Sequence, residues 1–574
     1  MKTGLIAINA KYIHSNLAVY SLKKYYEVYS ISNGNDVEIL EYTINQPKEV
    51  ILQKIVEAEA DVLCFSCYIW NIEIIGQIIS DLAKIYDGEI WLGGPEVSFN
   101  SEYYMNKYTN IKGIMRGEGE QIFTEVLDSF SGVKKLSSIS GITYRTAYGG
   151  LNTNSEVIKN PDAKCLDFSK IPFPYSDLTE FENRIIYYET SRGCPFSCAY
   201  CLSSLDKQLR FRSMEQIKSE ILFFLNNKVP QVKLVDRTFN CDHKRSIEIL
   251  EYIKEKDNGI TNFHFEIAGD ILTDKEMEIL ESLRPGLVQL EIGVQSTNPH
   301  TLEAIHRKNN MSVLKANVKR LLKNQNIHIH LDLIAGLPYE DLSSFINSFN
   351  ELYLMNGHEL QLGFLKMLKG TSLTAMRENY GIEHSDKPPY EVLKTKYISY
   401  KDLTELKRVE EMLEIYHNSA QFVNAEKYII GKYNSPYEYY KELADYYKKM
   451  DYSFIQSSRT RKYEILLEYW QTKNNMSDGR LVELLTLDYY LRENPKKRPD
   501  FCKTEDSDRI KEFYTNEKIR DTYLAKFVGM DLQKIKRITH VEFFTEDSNE
   551  AIFFDYSRIH PVTHCAGTYR IKID

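Results

Sequence analysis

Short apolar runs alternate with longer amphipathic stretches along two thirds of this chain, and that alternation constrains the fold more than any other feature. The first series reads "GLIAINA", "DVEILEYTI", "ADVLCFSCYIW", "EIWLGGPEVS" and "IKGIMRGEG" as strands. Between them "NLAVYSLKKYYEVY", "KEVILQKIVEAE" and "NIEIIGQIISDLAKIY" carry apolar residues at spacings of three and four, as does the closing "EQIFTEVLDSF", the helical period. Repeated β-α units of this size imply a parallel sheet covered on both faces, the doubly wound α/β architecture, over residues 1–135. A second series runs through residues 185–380. "IIYYETSRG" is followed by "VKLVDRTFN", "FHFEIAGD", "LVQLEIGVQS", "HIHLDLIAGLP" and "LQLGFLKMLKGT". Six such units close three quarters of a (β/α) barrel and bring their strand ends to one mouth.

Residues 136–184 read as a linker. After a small strand "SGITYR", the stretch "TAYGGLNTNSEVIKNPDAKCLDFSKIPFPYSDL" is rich in Gly, Asn, Pro and Ser without sustained period, and Pro172 and Pro174 hold an extended path. Cys165 lies there alone. Residues 381–574 are mainly helical and end in alternating apolar residues that predict a hairpin or small sheet. At 574 residues the chain is too long for one core. Its net charge of −9 and charged fraction of 27% give no global pull toward nucleic acid or anionic membrane. No run of eighteen apolar residues predicts a membrane span, and the start lacks the pattern of a signal peptide. Nine cysteines, an odd count, suit a reducing cytoplasm better than a disulfide scaffold.

Three of those cysteines stand together. Cys194, Cys198 and Cys201 form C-x-x-x-C-x-x-C in "SRGCPFSCAYC". A structural zinc site needs a fourth protein ligand, and no second C-x-x-C or nearby H-x₃-H supplies one. Three thiolates suit a cubane iron–sulfur cluster with one iron left open. In the first region Ser66, Gly93, Gly94, Gly117 and Glu118 fall at the carboxyl ends of strands, where doubly wound sheets bind ligands. Glycines there allow close approach to a large ligand or a tight turn. No G-x-G-x-x-G follows the first strand and no phosphate-cradling loop occurs.

C-x-x-x-C-x-x-C with an aromatic residue before its last cysteine resembles the defining motif of the radical S-adenosylmethionine (SAM) superfamily. The resemblance implies a 4Fe-4S cluster on Cys194, Cys198 and Cys201, whose open iron chelates SAM and whose electron cleaves it to a 5′-deoxyadenosyl radical. It places Tyr200 near the adenine. By position it assigns Gln295, Ser296 and Arg307 to the ribose and carboxylate of SAM. Asp236, Asn240, Glu266, Glu291, Gly293, Asp332 and Gly336 to Pro338 are further candidates at the barrel mouth, and Cys241 is a candidate thiol there. The first 130 residues are similar to the cobalamin-binding domain that precedes many radical SAM domains, with Ser66, Gly93, Gly94, Gly117 and Glu118 as its cofactor-binding residues. One departure is that no Asp-x-His-x-x-Gly occurs. His14 reads as a helix-entry polar residue, so no histidine is expected on the lower face of a cobalamin, which Tyr68, Trp70 or Asn71 would cover.

Both modules together resemble the cobalamin-dependent radical SAM enzymes. This implies methylation of an unactivated carbon through a 5′-deoxyadenosyl radical and methylcobalamin, or alternatively a non-methylating rearrangement, cyclisation or redox step, or modification of tRNA. The substrate is open among small molecules, peptides and tRNA, and an electron donor such as flavodoxin or ferredoxin is implied. A cobalamin-binding regulator would have no need of the cysteine triad. The C-terminal region is expected to cap the active site or recognise substrate. In it His560, His564 and Cys565 cluster without a clear fourth metal ligand, while "SSRTRKYE" and "NPKKRPD" read as solvated basic patches.

Overall fold

The computed structural model describes residues 1–572 apart from 33, 147–155, 453–456, 503–506, 517–518, 520–521 and 547–549. Part of the Gly/Asn-rich linker, the end of the stretch closing in "DYSFIQ" and the turn after "VEFFTE" therefore lie outside the described residues. The first sheet contains β1 (Lys2–Asn9), β2 (Asp36–Thr43), β3 (Val62–Ser66), β4 (Glu89–Gly93), β5 (Gly113–Met115), β6 (Ile142–Arg145) and β7 (Val157–Lys159). Their order is β2-β1-β3-β4-β5-β6-β7. The first five are parallel, and β6 and β7 continue the sheet antiparallel. The order reverses at β1, so the carboxyl ends of β1 and β3 flank a switch-point crevice. Helices Leu17–Tyr29 and Gly119–Phe130 pack together over one face, and Lys48–Glu57 and Ile72–Leu82 pack together elsewhere on the sheet.

Two expectations differ here. The linker holds a strand, β7, which three residues are too few to reveal by period and which exists through its pairing of Ile158 with Tyr144. The fourth strand stops at Gly93, because Gly94 turns the chain at φ 106° and Pro95 opens a short helix, Pro95–Ser98. A β-carbon on Gly94 would lie 2.5 Å from the carbonyl oxygen of Cys67.

The second sheet is built from β8 (Ile186–Tyr188), β11 (Gln231–Leu234), β12 (Asn262–Ile267), β13 (Val288–Gln295), β14 (His328–Ala335) and β15 (Glu359–Phe364), in the order β15-β14-β13-β12-β11-β8. All pairs are parallel: an open, six-stranded part of a barrel. Along β14 burial alternates strictly. Ile329, Leu331 and Leu333 are buried in the core, while His328, His330 and Asp332 share the opposite face, the barrel lumen.

An open barrel leaves two edges whose backbone groups need partners, and other parts of the chain supply them. At β8 the amide of Ile185 donates to the carbonyl of Ile13, 2.8 Å away, joining the first domain to the barrel. At β15 the side-chain amide of Asn418 accepts from the Leu360 N–H at 3.0 Å and donates to its carbonyl at 3.1 Å, standing in for a seventh strand.

The C-terminal helices flank the barrel. Helix Pro436–Lys449 lies against Leu342–Tyr353, with Tyr437 and Tyr440 packed edge-on against Phe349. The last sheet, β18 (Thr539–Phe544), β19 (Glu550–Ile559) and β20 (Ala566–Lys572), is antiparallel. Its β19–β20 turn reaches the barrel base, where Pro561 touches Gly286 just before β13. These elements cover the flank and base, while the first residues of the C-terminal region reach the mouth, where Val392 lies against Gly336. The mouth is covered by the segment after β15, including β16 (Glu383–His384) and β17 (Val392–Lys394). There the amide of Leu373 donates to the Ala199 carbonyl at 2.9 Å and Lys369 pairs with Glu96 at 2.6 Å. Among the described residues no helix is long and apolar enough to cross a membrane.

Candidate functional site

A cavity of about 800 Å³ lies between the carboxyl edge of the first sheet and the barrel mouth. Ser66, Tyr68, Trp70, Gly93, Gly94, Gly117 and Glu118 line one side, and Tyr187, Glu189, Arg192, Ser203 and Arg237 the other. The glycines keep it open. A β-carbon on Gly117 would meet nothing within 4 Å, at a backbone φ of 89°. Tyr68 and Trp70 stack at 4.3 Å between ring centroids, and Trp70 Nε1 donates to the Ile8 carbonyl at 3.2 Å. Asn71 is absent from the lining. It is fully buried and donates to the Ile8 and Ser66 carbonyls, so it staples the turn. His14 does line the cavity, but its Nδ1 is 2.7 Å from the Tyr187 hydroxyl, which ties it to the barrel.

The cysteine loop is closed at its base by the two-residue ladder of β9 (Ser191–Arg192) and β10 (Arg210–Phe211). Gly193 enters it at φ 92°, where a β-carbon would sit 2.6 Å from the Gln208 carbonyl. Asp236 holds the base from below: buried, it accepts from the Thr190 amide at 2.7 Å, the Ser191 hydroxyl at 2.6 Å and Arg245 at 3.2 Å. The Cys194 amide donates to Asp206 and the Ala199 amide to Ile305, pinning the loop on both sides. Cys194 and Cys198 are buried and Cys201 is half-buried. Burial pushes the Cys194 thiol up, and its two neighbours add to the rise, whereas a bound metal ion reverses that balance and stabilises thiolates. Thr238 Oγ1 is 3.8 Å from Cys194 Sγ. Half-buried Cys241 lies just beyond it on the same short helix.

Arg307 Nη1 donates to Cys198 Sγ at 3.7 Å, and its Nη2 donates to the Gly293 carbonyl. Gln295 sits at a bulge in β13 with φ 74°, and its amide crosses over Gly293, where a β-carbon would lie 2.3 Å from Nε2. Gln295 Oε1, Arg307 Nε and Asp332 Oδ1 are buried without a protein partner, and Asp332 pairs with Gly293 across the sheet. Buried polar atoms without partners are costly, and three gathered at one level of the mouth fit a polar ligand there. Tyr200 interacts electrostatically with Arg307 and with the thiols of Cys198 and Cys201. Ser296 is positioned otherwise: fully buried, it donates to Glu340 at 2.6 Å and accepts from the Asn298 amide, which braces the turn behind Gln295. Asn240 likewise clamps the backbone of Ala268 from both sides.

Below the mouth the lumen is polar. Burial pushes Glu266 up to about 7, partly offset by Arg237. Burial opposes the charge on Glu291, but His264 at 3.1 Å and Lys233 at 3.0 Å outweigh it and hold its carboxyl at about 2. Asp332 is pushed well above the carboxylate range by burial, and by Glu291 and Glu266 nearby. Lower still, burial and neighbouring histidines bring His328 to about 3 and His330 to about 4, leaving both rings neutral at physiological pH.

Arg192 ties the two sides of the cavity together, a role the sequence pattern did not signal. It contacts Glu120 at 2.6 Å, Glu189 at 2.8 Å and Glu118 at 3.2 Å. Glu118 also accepts from Arg210 and from the Leu166 amide, so its carboxylate faces the cavity while serving as an interdomain tie. In the C-terminal region His560 Nδ1 faces the amides of Val562 and Thr563, and Cys565 donates to the Thr563 carbonyl; these residues close the turn. Within the basic patches Arg461, Arg459 and Arg498 pair with Glu468, Glu493 and Glu542.

Comparison with known proteins finds the B12 binding domain over residues 4–127 and the Radical SAM superfamily over residues 188–352. Residues 378–556 match a family described only as a protein of unknown function (DUF4080). The chain is 27% identical over 358 residues to the cobalamin-dependent radical SAM methyltransferase TokK of Streptomyces tokunonensis, covering 58% of this chain and 51% of that one. It spans about half the length of the curated relatives it matches. Among solved structures it is similar to the cobalamin-dependent SAM radical enzyme OxsB with aqua-cobalamin and SAM bound, at TM-score 0.59, 14% identity and coverage of 85% and 78%. It is also similar to the radical SAM methyltransferase TsrM of Kitasatospora setae with cobalamin and a [4Fe-4S] cluster bound, at TM-score 0.55, 15% identity and coverage of 68% and 78%. At these identities the two structures share its fold.

Proposed function

We propose that this chain, a radical SAM superfamily protein with a B12 binding domain ahead of its barrel, is an enzyme that methylates an unactivated carbon. The observation that carries the proposal is the cavity: the glycine-lined edge of the first sheet and the end of the cysteine loop, through Leu202 and Ser203, border one space. The groups bound there would supply a 5′-deoxyadenosyl radical from SAM at a 4Fe-4S cluster and a methyl group from cobalamin.

In this reading Cys194, Cys198 and Cys201 hold the cluster, and Arg307, already donating to Cys198, orients SAM together with Gln295 and Tyr200. Ser296 positions Gln295 through the turn it braces. Ser66, Gly93, Gly94 and Gly117 form the bed for cobalamin, with the Tyr68–Trp70 stack beside it. Glu118 and Arg192 keep the two beds face to face. The segment after β15 covers the mouth and keeps water from the reacting carbon, and the polar lumen orients the substrate. A flavodoxin or ferredoxin supplies the electron, and the oxygen sensitivity of such a cluster suits the cytoplasm.

The test is anaerobic. Protein reconstituted with iron, sulfide and cobalamin is incubated with SAM and reductant, and 5′-deoxyadenosine and S-adenosylhomocysteine are quantified together by mass spectrometry. Both products are expected, the second only when cobalamin is present, and Cys198→Ala should abolish the first. Deoxyadenosine alone would refute methyl transfer and leave a rearrangement, cyclisation or redox role for the cobalamin. Neither product would refute the radical enzyme.

A further inference from the structure

The floor of the barrel lumen holds a second cluster of donor atoms, on the far side of the barrel from the cysteine loop. His328 and His330 lie two residues apart on β14 and so project from the same face. Glu359 opens β15 directly beside His330 in the parallel register. His330 Nε2 is 2.9 Å from His328 Nδ1 and 3.4 Å from Glu359 Oε1, and His328 Nε2 is 3.9 Å from the same carboxylate oxygen. Among the described residues, these three place one ligand atom each within 4.8 Å of one another.

We propose that His328, His330 and Glu359 bind a divalent transition-metal ion of zinc's class, with a fourth position open to water. Two ligands on a tetrahedral ion with bonds of about 2.0–2.1 Å stand about 3.3 Å apart. His330 Nε2 and Glu359 Oε1 stand 3.4 Å apart, close to that value; with one atom from each residue the set lies within 4.8 Å, so a rotation of the His328 ring that brings one nitrogen toward both partners completes the site. Two imidazoles and one carboxylate suit zinc, and three protein ligands leave the position that closed structural sites fill with a fourth.

Hydrogen bonding alone accounts poorly for the same geometry. His330 Nε2 has either one lone pair or one proton. Yet the His328 nitrogen and Gln289 Nε2, at 2.8 Å, both converge on it, with the Glu359 oxygen close behind. The surrounding histidines are accounted for. His358 Nδ1 accepts from the Ile329 amide, which leaves the proton on its other nitrogen, and His264 pairs with Glu291. The β19–β20 turn comes down on this floor: Pro561 packs against Gly286, and His564 stands near enough to act on His328 electrostatically. The site would thus sit where the C-terminal region meets the barrel.

The test uses the full chain with its iron–sulfur cluster reconstituted, dialysed against zinc and then against buffer. Metal content is measured by mass spectrometry, and the zinc shell by X-ray absorption. One zinc per chain is expected, with nitrogen and oxygen neighbours at about 2.0–2.1 Å and no sulfur. His328→Ala with His330→Ala should lower zinc at least tenfold, while His358→Gln should retain it. Glu359→Gln, which preserves size, serves if the double variant fails to fold, and should weaken binding at least tenfold. Zinc absent from the wild type, retained by the variants, or bound by sulfur at about 2.3 Å would overturn the proposal; the last would place it on the cysteine trio.

Discussion

Replacing Arg192 with methionine should uncouple the two halves of the cavity, and the size of the effect can be worked out from its partners. The guanidinium lies among Glu120, Glu189 and Glu118, and the Glu120 side chain is only 6% exposed. Removing one partner of a buried pair leaves an uncompensated charge and costs about 3–5 kcal/mol. Glu120→Gln in the same chain removes the charge left behind, so the double variant should recover part of that loss. We expect a coupling energy of about 2–3 kcal/mol in a double-mutant cycle. Urea unfolding followed by tryptophan fluorescence suits the measurement, since Trp70 and Trp91 both lie in the first domain. A pH series adds a signed check. Burial opposes the Glu120 charge, but Arg192 outweighs it and depresses the carboxyl. The stabilisation from this group is therefore present above its unfolded value near 4.5 and lost only as pH falls through the lower folded value. Without Arg192 only a backbone N–H and the Ser21 hydroxyl offset burial, so the carboxyl rises and the Arg192→Met variant should lose stability as pH rises from 5 toward 8, where the wild type does not lose it through this group. Additivity of the two substitutions within about 0.5 kcal/mol, or an unchanged pH profile, would refute the tie.

Other perturbations follow from the same contacts. Gly117→Ala strains a positive φ but meets open space, so a cost of about 1 kcal/mol is expected with cobalamin binding weakened, checked by spectrophotometric titration; Gly94→Ala also collides with the Cys67 carbonyl and should destabilise more. Asn418→Leu strips both partners from the Leu360 backbone and should cost about 1–3 kcal/mol, with faster amide exchange along β15. Burial raises Glu426 to about 8 although Tyr440 donates to it. Its contribution is full below about 4.5 and lost as pH rises through 8, so Glu426→Gln should flatten that decline in urea unfolding of the chain.

The sequence by itself determined what depends on neighbours along the chain. Periods of two and of three to four lie in the side-chain order, so the five parallel strands of the first sheet and the six of the barrel were legible before any pairing was known. The cysteine trio was equally legible, because eleven residues of one loop contain it. What pairing alone creates was not. β7 exists through Tyr144, and the fourth strand stops where Gly94 must pass Cys67. Ser296 and Glu118 are polar strand-end residues by sequence, yet Glu340 engages one and Arg192 and Arg210 the other. The floor cluster joins His330 to Glu359 only because the parallel register sets β14 beside β15. In the same way Asn418 finds Leu360 across 58 residues. A local pattern records which face a residue takes, whereas only the packed chain decides which distant group meets it there.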